Sequence, residues 1–308
     1  MKNLKGSLIL LITAFIWGSA FVAQTTGAEY LEPFAFNALR SFVGSLFLII
    51  VIVVKKILLN KNNKMHEKEI NNNWPWLGGI VCGIVLFLAM GCQQWGITLY
   101  PEGVAASGRA GFITAIYVVL VAIVEQLRGK KIHWIIIISV LGTMVGMYLL
   151  CLAGGISNIY LGDVVVFLCA ICFTGHILIV DKFKNVDSFK LSCIQFLTCA
   201  VISSCVSFVT ENVDVLDIRH AWFSIFYAGV MSSGIAYTLQ MVGQKYAEPA
   251  VASIVMSLES VFAVLTGWIV LHEILLAREY AGCVIVFICV ILAQIPAFLN
   301  NKENKCKI

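Results

Sequence analysis

Ten long apolar stretches alternate with short polar connections along this 308-residue sequence. A helix needs about 20 apolar residues to cross the roughly 30 Å hydrocarbon core of a bilayer. Because backbone polar groups in hydrocarbon must bond within their own segment, such stretches predict membrane-spanning helices. We therefore predict an all-α integral membrane protein with ten transmembrane helices. The stretches, called runs one to ten, cover residues 6–25, 34–54, 75–98, 103–125, 132–150, 161–180, 188–208, 221–241, 249–271 and 279–298.

The composition indicates a chain whose surroundings are the lipid bilayer. Hydrophobic residues make up 60% of the sequence and charged residues 12%, against about 25% charged residues in soluble domains. The basic residues lie in short clusters between runs, which argues against a nucleic-acid partner. Ten of the eleven cysteines lie in or at the ends of runs, so we expect no disulfide framework. No metal and no cofactor are expected, since Cys169-x-x-Cys172 lies in an apolar run without suitable further ligands.

Lysine and arginine are distributed unequally between the two sides of the membrane. With a cytoplasmic N-terminus, seventeen of them fall in the inner segments, and two, Arg219 and Arg278, fall in the outer segments. Positively charged connections remain in the cytoplasm. We expect a multi-pass protein of the plasma membrane (the cell inner membrane) with both termini cytoplasmic.

The second half of the sequence repeats features of the first half in the same order. Ala14–Ala20 corresponds to Ala170–His176, and three further matches follow at similar spacing. We predict one five-helix repeat over residues 1–154 and a second over residues 155–308. Because five is odd, the second repeat enters the membrane upside down, and inverted repeats are typical of secondary transporters. A duplicated scaffold or a membrane enzyme is the competing interpretation, although no catalytic cluster is visible in the sequence.

Four segments carry a resemblance to a known family: Trp17–Ser19 in run one, Arg40 in run two, Gly103–Ala115 in run four and Ala247–Glu273 in run nine. On these segments the chain resembles, over its whole length, the EamA-type permeases of the drug/metabolite transporter superfamily. The resemblance implies ten helices in two inverted five-helix repeats, a central cavity, and export of amino acids or other small metabolites. Ser260 stands where members of that family usually have proline.

Run nine holds a single ionisable residue between Ala250 and Leu271, and this residue is Glu259. A carboxylate at bilayer depth is unfavourable, so Glu259 should face a wet cavity or a partner. Burial disfavours the charged form of a carboxyl group, which is a condition for proton exchange near neutral pH. Our interpretation is a proton-coupling residue. The alternative is a protonated carboxyl group that is hydrogen-bonded between helices.

Helical spacing on run one places Trp17 and Gln24 on one side, and the repeat counterpart on run six includes Phe173 and His176. If both stripes face a cavity, the aromatic rings form its walls and Gln24 and His176 contact the substrate. The alternatives are ordinary helix packing for the rings and an interhelical hydrogen bond for His176.

Two arginines inside runs are candidate substrate contacts. Arg40 lies about two turns into run two, where it could bind a substrate carboxylate, pair with helix-end carbonyl groups or snorkel to the interface. Arg109 lies among small residues in run four, where it could neutralise Glu259 or bind an anionic group. The sequence leaves these alternatives open.

Amide and hydroxyl side chains complete the predicted site. Gln93 and Gln240 occupy matching places in runs three and eight, and Tyr237 lies on the same helix face as Gln240. Two such amides near the midplane would suit hydrogen bonding to a zwitterionic or heteroatom-rich solute. Ser257 belongs to a serine stripe on run nine. The alternative for these polar groups is hydrogen bonding between helices.

These features predict a secondary transporter that exports small amphipathic metabolites such as amino acids, with protons as coupling ion. The alternative is an importer of a vitamin-like or nucleoside-like solute on the same architecture. No phosphate-binding loop for an ATP-driven pump occurs in the sequence. Gly142-xxx-Gly146 in run five permits close approach of another helix, either within the bundle or in a homodimer.

Overall fold

A computed structural model describes residues 2–61, 74–101, 106–129, 132–151, 160–271 and 277–306. Over these ranges the chain forms helices and contains no β-strand, so the predicted all-α class is confirmed. The helices are α1 (Lys2–Ala28), α2 (Pro33–Lys61), α3 (Trp76–Thr98), α4 (Ala106–Thr114), α5 (Tyr117–Leu127), α6 (Trp134–Cys151), α7 (Leu161–Lys182), α8 (Ser188–Thr210), α9 (Val215–His220), α10 (Trp222–Tyr227), a π-helical segment (Ala228–Ala236), α11 (Tyr237–Gln244), α12 (Pro249–Met256), α13 (Glu259–Leu271) and α14 (Ala277–Cys306).

Eight helical stretches of the described chain are long and apolar enough to cross a membrane. They correspond to runs one to four and six to nine. Runs five and ten contain α6 and α14, whose apolar parts, Trp134–Gly146 and Tyr280–Ala293, are shorter. A multi-pass membrane protein is therefore confirmed, whereas the count of ten spans stays a prediction.

Three runs differ from continuous α-helices. Run four divides into α4 and α5 at residues 115–116, and run nine divides into α12 and α13 at residues 257–258. Run eight contains the π-helical segment, whose turns are wider than those of an α-helix. At the break in run nine, the Ser257 hydroxyl donates to the carbonyl of Ile254 at 2.7 Å. A hydroxyl that binds a nearby backbone acceptor competes with the helical hydrogen bond, which favours a break there.

Helices of the first five runs interleave with helices of the last five. The run-one helix α1 packs against the π-helical segment and α11 of run eight, and the run-six helix α7 packs against α3 of run three. In addition, α2 packs along α8, and α6 packs along α14. The contacts between the halves are thus reciprocal, and both halves contribute to the centre of the bundle.

A carboxylate from the second half caps the N-terminus of α2. Glu211, directly after α8, accepts hydrogen bonds from the backbone N–H groups of Phe34 and Ala35 at 2.8 and 2.7 Å. The first N–H groups of a helix lack intrahelical partners, and this end of a helix favours negative charge. Glu211 therefore anchors α8 to the start of α2, about two turns before Arg40.

The close contact between α1 and α13 depends on Gly18. A Cβ atom at Gly18 would overlap Phe262 and lie 2.7 Å from the carbonyl oxygen of Glu259. We expect Gly18→Ala to lower the free energy of unfolding by about 1–3 kcal/mol, as overpacking does, measured by melting detergent-purified protein. Gly175→Ala is the matched control, because its Cβ would meet Val85 at an ordinary 3.8 Å. Equal Tm values for Gly18→Ala and Gly175→Ala would contradict the close packing at Gly18.

The glycine pattern of run five brings α6 against α14 of the same chain. A Cβ atom at Gly146 would lie 2.9 Å from the carbonyl oxygen of Gly282, and one at Gly142 would overlap Cys289. Of the two predicted uses of this pattern, the structure shows the contact within the bundle. The homodimer stays a prediction.

Candidate functional site

A small cavity lies at the centre of the bundle, where helices of both halves meet. Its volume is about 30 Å³, and a water molecule needs roughly 10–15 Å³ of such space, so about two waters fit. Of the ten residues predicted to contact the substrate or to couple protons, seven line this cavity. They are Trp17, Gln24, Arg40, Gln93, Tyr237, Gln240 and Glu259.

The other lining residues are Phe173, which was predicted to form an aromatic wall together with Trp17, and five residues that were not predicted, namely Phe21, Thr114, Tyr117, Ile177 and Ser232. Phe173 is the predicted repeat counterpart of Trp17, and helical spacing could have identified Phe21 and Ile177, one turn after Trp17 and Phe173 respectively. Thr114 and Tyr117 flank the break in run four, and Ser232 lies in the π-helical segment. The 3.6-residue period is lost at both places, so periodicity carries no signal for these three residues.

Tyr237 and Trp17 form an aromatic wall of the cavity. Their ring centroids are 4.7 Å apart at an angle of 58°. From behind, Phe196 and His176 make edge-to-face contacts with the Tyr237 ring at 5.2 and 5.9 Å. The buried Trp17 Nε1 has no hydrogen-bond partner among the described residues. The wall therefore combines apolar surface with an unused hydrogen-bond donor.

Three glutamines place amide groups in the cavity lining. Gln93 Nε2 donates to the Thr114 hydroxyl at 3.2 Å, which links α3 to the break in run four. In Gln24 and Gln240 the buried Oε1 atoms accept no hydrogen bond from the described part of the chain. Buried acceptors without a donor are unfavourable in a closed protein. These two oxygens therefore have unused acceptor capacity beside the cavity.

Glu259 begins α13, directly after the break in run nine, and 4% of its surface is exposed. The Tyr117 hydroxyl, at the break in run four, lies close to the carboxyl group. Glu259 Oε1 and the Tyr117 hydroxyl nevertheless lack hydrogen-bond partners of regular geometry among the described residues. The two breaks thus bring a carboxyl group and a phenol together beside the cavity.

Arg40 places a guanidinium group in the same cavity, with 2% of the residue exposed. The guanidinium lies over the Phe36 ring, 5.4 Å from its centroid. Such burial is incompatible with the predicted alternative in which Arg40 snorkels to the membrane interface.

Arg109 lies outside the cavity lining, because Asp163 at the start of α7 binds it. Arg109 Nε and Nη2 donate to Asp163 Oδ1 and Oδ2 at 2.6 and 2.7 Å. The Tyr100 hydroxyl also donates to Asp163 Oδ1, at 3.0 Å, and the Tyr160 ring covers the guanidinium at 4.9 Å. Burial and the neighbouring Asp163 carboxylate raise the pKa of Tyr100, so this hydroxyl remains a donor. Pairing of Arg109 with a substrate anion or with Glu259 stays a prediction that this network does not favour.

His176 and Ser257 also lie outside the cavity lining. His176 Nε2 is 3.0 Å from Gln195 Oε1 on α8, which corresponds to the predicted alternative of an interhelical hydrogen bond. Ser257 donates to its own helix, as described above. Both side chains are fully buried. Direct contact of either residue with a substrate stays a prediction that this conformation does not favour.

Comparison with known sequences decides the family. The model of the EamA-like transporter family matches residues 4–152 and, a second time, residues 160–294. The chain belongs to the EamA-like transporter family. As an EamA-like protein it is a membrane transporter of the drug/metabolite transporter superfamily.

This EamA-like chain is similar to other proteins over nearly its whole length. An "Uncharacterized transporter" of Archaeoglobus fulgidus is 27% identical, covering 96% of this chain and 87% of the relative. The "Uncharacterized transporter YoaV" of Bacillus subtilis is 22% identical, covering 92% and 94%. The chain also resembles a protein of known crystal structure that is 17% identical in sequence. The superposition includes 94% of this chain and 98% of the other, and its TM-score of 0.75 shows the same fold.

Proposed function

We propose that this transporter exports small amphipathic metabolites, such as amino acids, through the central cavity in exchange for protons. The observation that carries this proposal is the set of groups around one central cavity. It contains a cation, Arg40, an acid, Glu259, and the unused amide oxygens of Gln24 and Gln240. A solute with an amino group, a carboxylate and an apolar side chain would pair with all of them, while Trp17 would cover its apolar part.

Two inverted five-helix repeats, over residues 1–154 and 155–308, are the architecture we assign to this exporter. The boundary between them lies outside the described residues. Support comes from the family model, which matches once in each half. It also comes from the reciprocal contacts of the run-one helix with run eight and the run-six helix with run three. In such transporters one repeat moves against the other around a midplane site.

Solute entry requires the halves to separate. The cavity has room for about two waters in the described conformation, so the halves have to move apart to admit an amino acid. The interruptions in runs four, eight and nine all border this cavity. Helices that are already interrupted can bend with less loss of backbone hydrogen bonding than continuous ones. We assign the opening movement to these three runs.

Glu259 is the residue that couples export to protons. Its carboxylate can hold either a proton or the amino group of a solute. When a proton from outside binds the carboxylate, the solute is released outside and the protonated carrier returns. Glu259 then releases its proton to the cytoplasm, and the next solute binds. The inward proton gradient then drives the solute outward, with both termini in the cytoplasm where the basic connections lie.

Melting of purified full-length protein against amino acids, nucleobases, polyamines and vitamins tests the solute class. Binding to the native state stabilises it by RT ln(1 + [L]/Kd), about 2.7 kcal/mol at a concentration of 100 Kd. We expect amino acids to raise the Tm and the rise to vanish in Trp17→Ala. Trp134→Ala is the matched control, because Trp134 is exposed on α6. Stabilisation by nucleobases or vitamins, with none by amino acids, would contradict the proposed class.

A further inference from the structure

We propose that Arg40 is the anion-binding residue of the cavity and that the transported solute carries a carboxylate group. This inference rests on the proposed function, because it takes the cavity as the place where the solute binds. It names one recognising residue and one chemical group of the solute, and it holds for import as well as for export.

The main observation is a buried cation that has no counterion among the described residues. Arg40 is 2% exposed, and its Nε and Nη2 atoms have no hydrogen-bond partner in the described part of the chain. No described carboxylate oxygen lies within 4 Å of its guanidinium nitrogens. Burying a charge without a partner is strongly unfavourable. An ionisable residue inside a membrane-spanning bundle marks a functional site by default, and a bound anion would supply the counter-charge here.

The unused atoms of Arg40 have the geometry that binds a carboxylate. Nε and Nη2 form one edge of the guanidinium plane, and this edge donates two parallel hydrogen bonds to the two oxygens of a carboxylate. The same chain shows this arrangement at Arg109, where the same two atoms bind both oxygens of Asp163 at 2.6 and 2.7 Å. The Phe36 ring lies against the Arg40 guanidinium and helps to hold its plane.

Charge balance favours a carboxylate over a phosphate. Arg40 and Glu259 are the cation and the acid of the cavity lining. A monoanionic carboxylate neutralises Arg40 completely, whereas a phosphate dianion would leave one negative charge in a site of low dielectric. If the solute also carries an amino group, Glu259 is the acceptor for it. The solute class is therefore a monocarboxylate with apolar bulk for the aromatic wall.

A matched pair of probes tests the site without knowledge of the natural solute. Full-length protein is melted with sodium benzoate and with benzamide, which has the same ring and no charge, at equal ionic strength. We expect benzoate to raise the Tm of the wild type more than benzamide does. In Arg40→Gln the apparent affinity for benzoate should fall by about tenfold or more, because the variant loses the charge-assisted hydrogen bonds to the carboxylate. Arg40→Lys, which keeps the charge, should retain part of the effect.

A second readout separates ligand binding from a structural role. Because the wild type buries a charge that no described residue pairs with, we expect Arg40→Gln without any anion to melt no lower than the wild type. A much lower Tm would assign Arg40 to the structure instead. Equal stabilisation by benzoate and benzamide, or an unchanged benzoate effect in Arg40→Gln, would overturn the proposal. Stronger stabilisation by inorganic phosphate than by benzoate would overturn the carboxylate assignment.

Failure of this inference and failure of the proposed function give different results. If benzoate binds through Arg40 but vesicles transport no amino acids, the anion site is supported and the export proposal is refuted. Amino acid export that continues at wild-type rate and affinity in Arg40→Gln would refute the anion site and leave the export proposal.

Discussion

Glu259→Gln is expected to abolish the response of solute export to a pH gradient. The amide has the volume of the carboxyl group but neither takes up a proton near neutral pH nor binds an amino group as an anion. In everted membrane vesicles with an acidic lumen, the wild type should accumulate ¹⁴C-labelled phenylalanine, leucine or threonine. We expect Glu259→Gln to show at least about tenfold less gradient-driven uptake, since one essential proton-transfer group is worth that much or more.

Glu125→Gln is the matched control for this experiment. Glu125 is also a buried acid, 3% exposed, but it lies on α5 outside the cavity lining and 3.9 Å from Arg128. We expect this variant to keep the gradient response. If Glu259→Gln keeps full gradient-driven uptake, Glu259 has no part in the coupling mechanism. If both variants lose uptake equally, the cause is a general effect of losing a buried carboxyl group.

Asp163→Ala is expected to cause the largest loss of stability among the substitutions considered. It removes the carboxylate that accepts hydrogen bonds from Arg109 Nε, from Arg109 Nη2 and from the Tyr100 hydroxyl. Breaking a fully buried ion pair costs about 3–5 kcal/mol. Since the Arg109 and Asp163 side chains retain 15% and 10% exposure, we expect about 2–3 kcal/mol, measured as a Tm lower by roughly 5 °C or more.

An exposed ion pair of the same chain provides the control. Asp181 and Lys184 lie 3.3 Å apart, with side chains 18% and 47% exposed. Exposed pairs contribute about 0–1 kcal/mol, so Asp181→Ala should change the Tm little. If Asp163→Ala and Asp181→Ala have the same Tm, the network around Asp163 does not stabilise the contact between α4 and α7. High salt should reduce the Tm difference between Asp163→Ala and Asp181→Ala only slightly, because partly buried ion pairs are screened less than exposed ones.

The sequence by itself determined the all-α membrane class and the approximate positions of the apolar helices, and its motifs pointed to the family. The length of each apolar run follows from the thickness of a bilayer, and this constraint acts on each segment separately. It also predicted much of the cavity. Trp17, Gln24, Arg40 and Glu259 converge there because a polar or aromatic stripe on an otherwise apolar helix faces away from lipid.

The tertiary structure alone decided where each predicted polar group found its partner. Arg109 pairs with Asp163, 54 residues away, and His176 bonds to Gln195 on the next helix, so neither enters the cavity lining. The interruptions that bring Tyr117 and Ser232 to the cavity also left no trace in the pattern of apolar residues. The physical reason is that helices apolar on all sides carry little information about which face meets which neighbour. Partner choice depends on the depth and rotation of packed helices, and these are set by contacts between helices far apart in sequence.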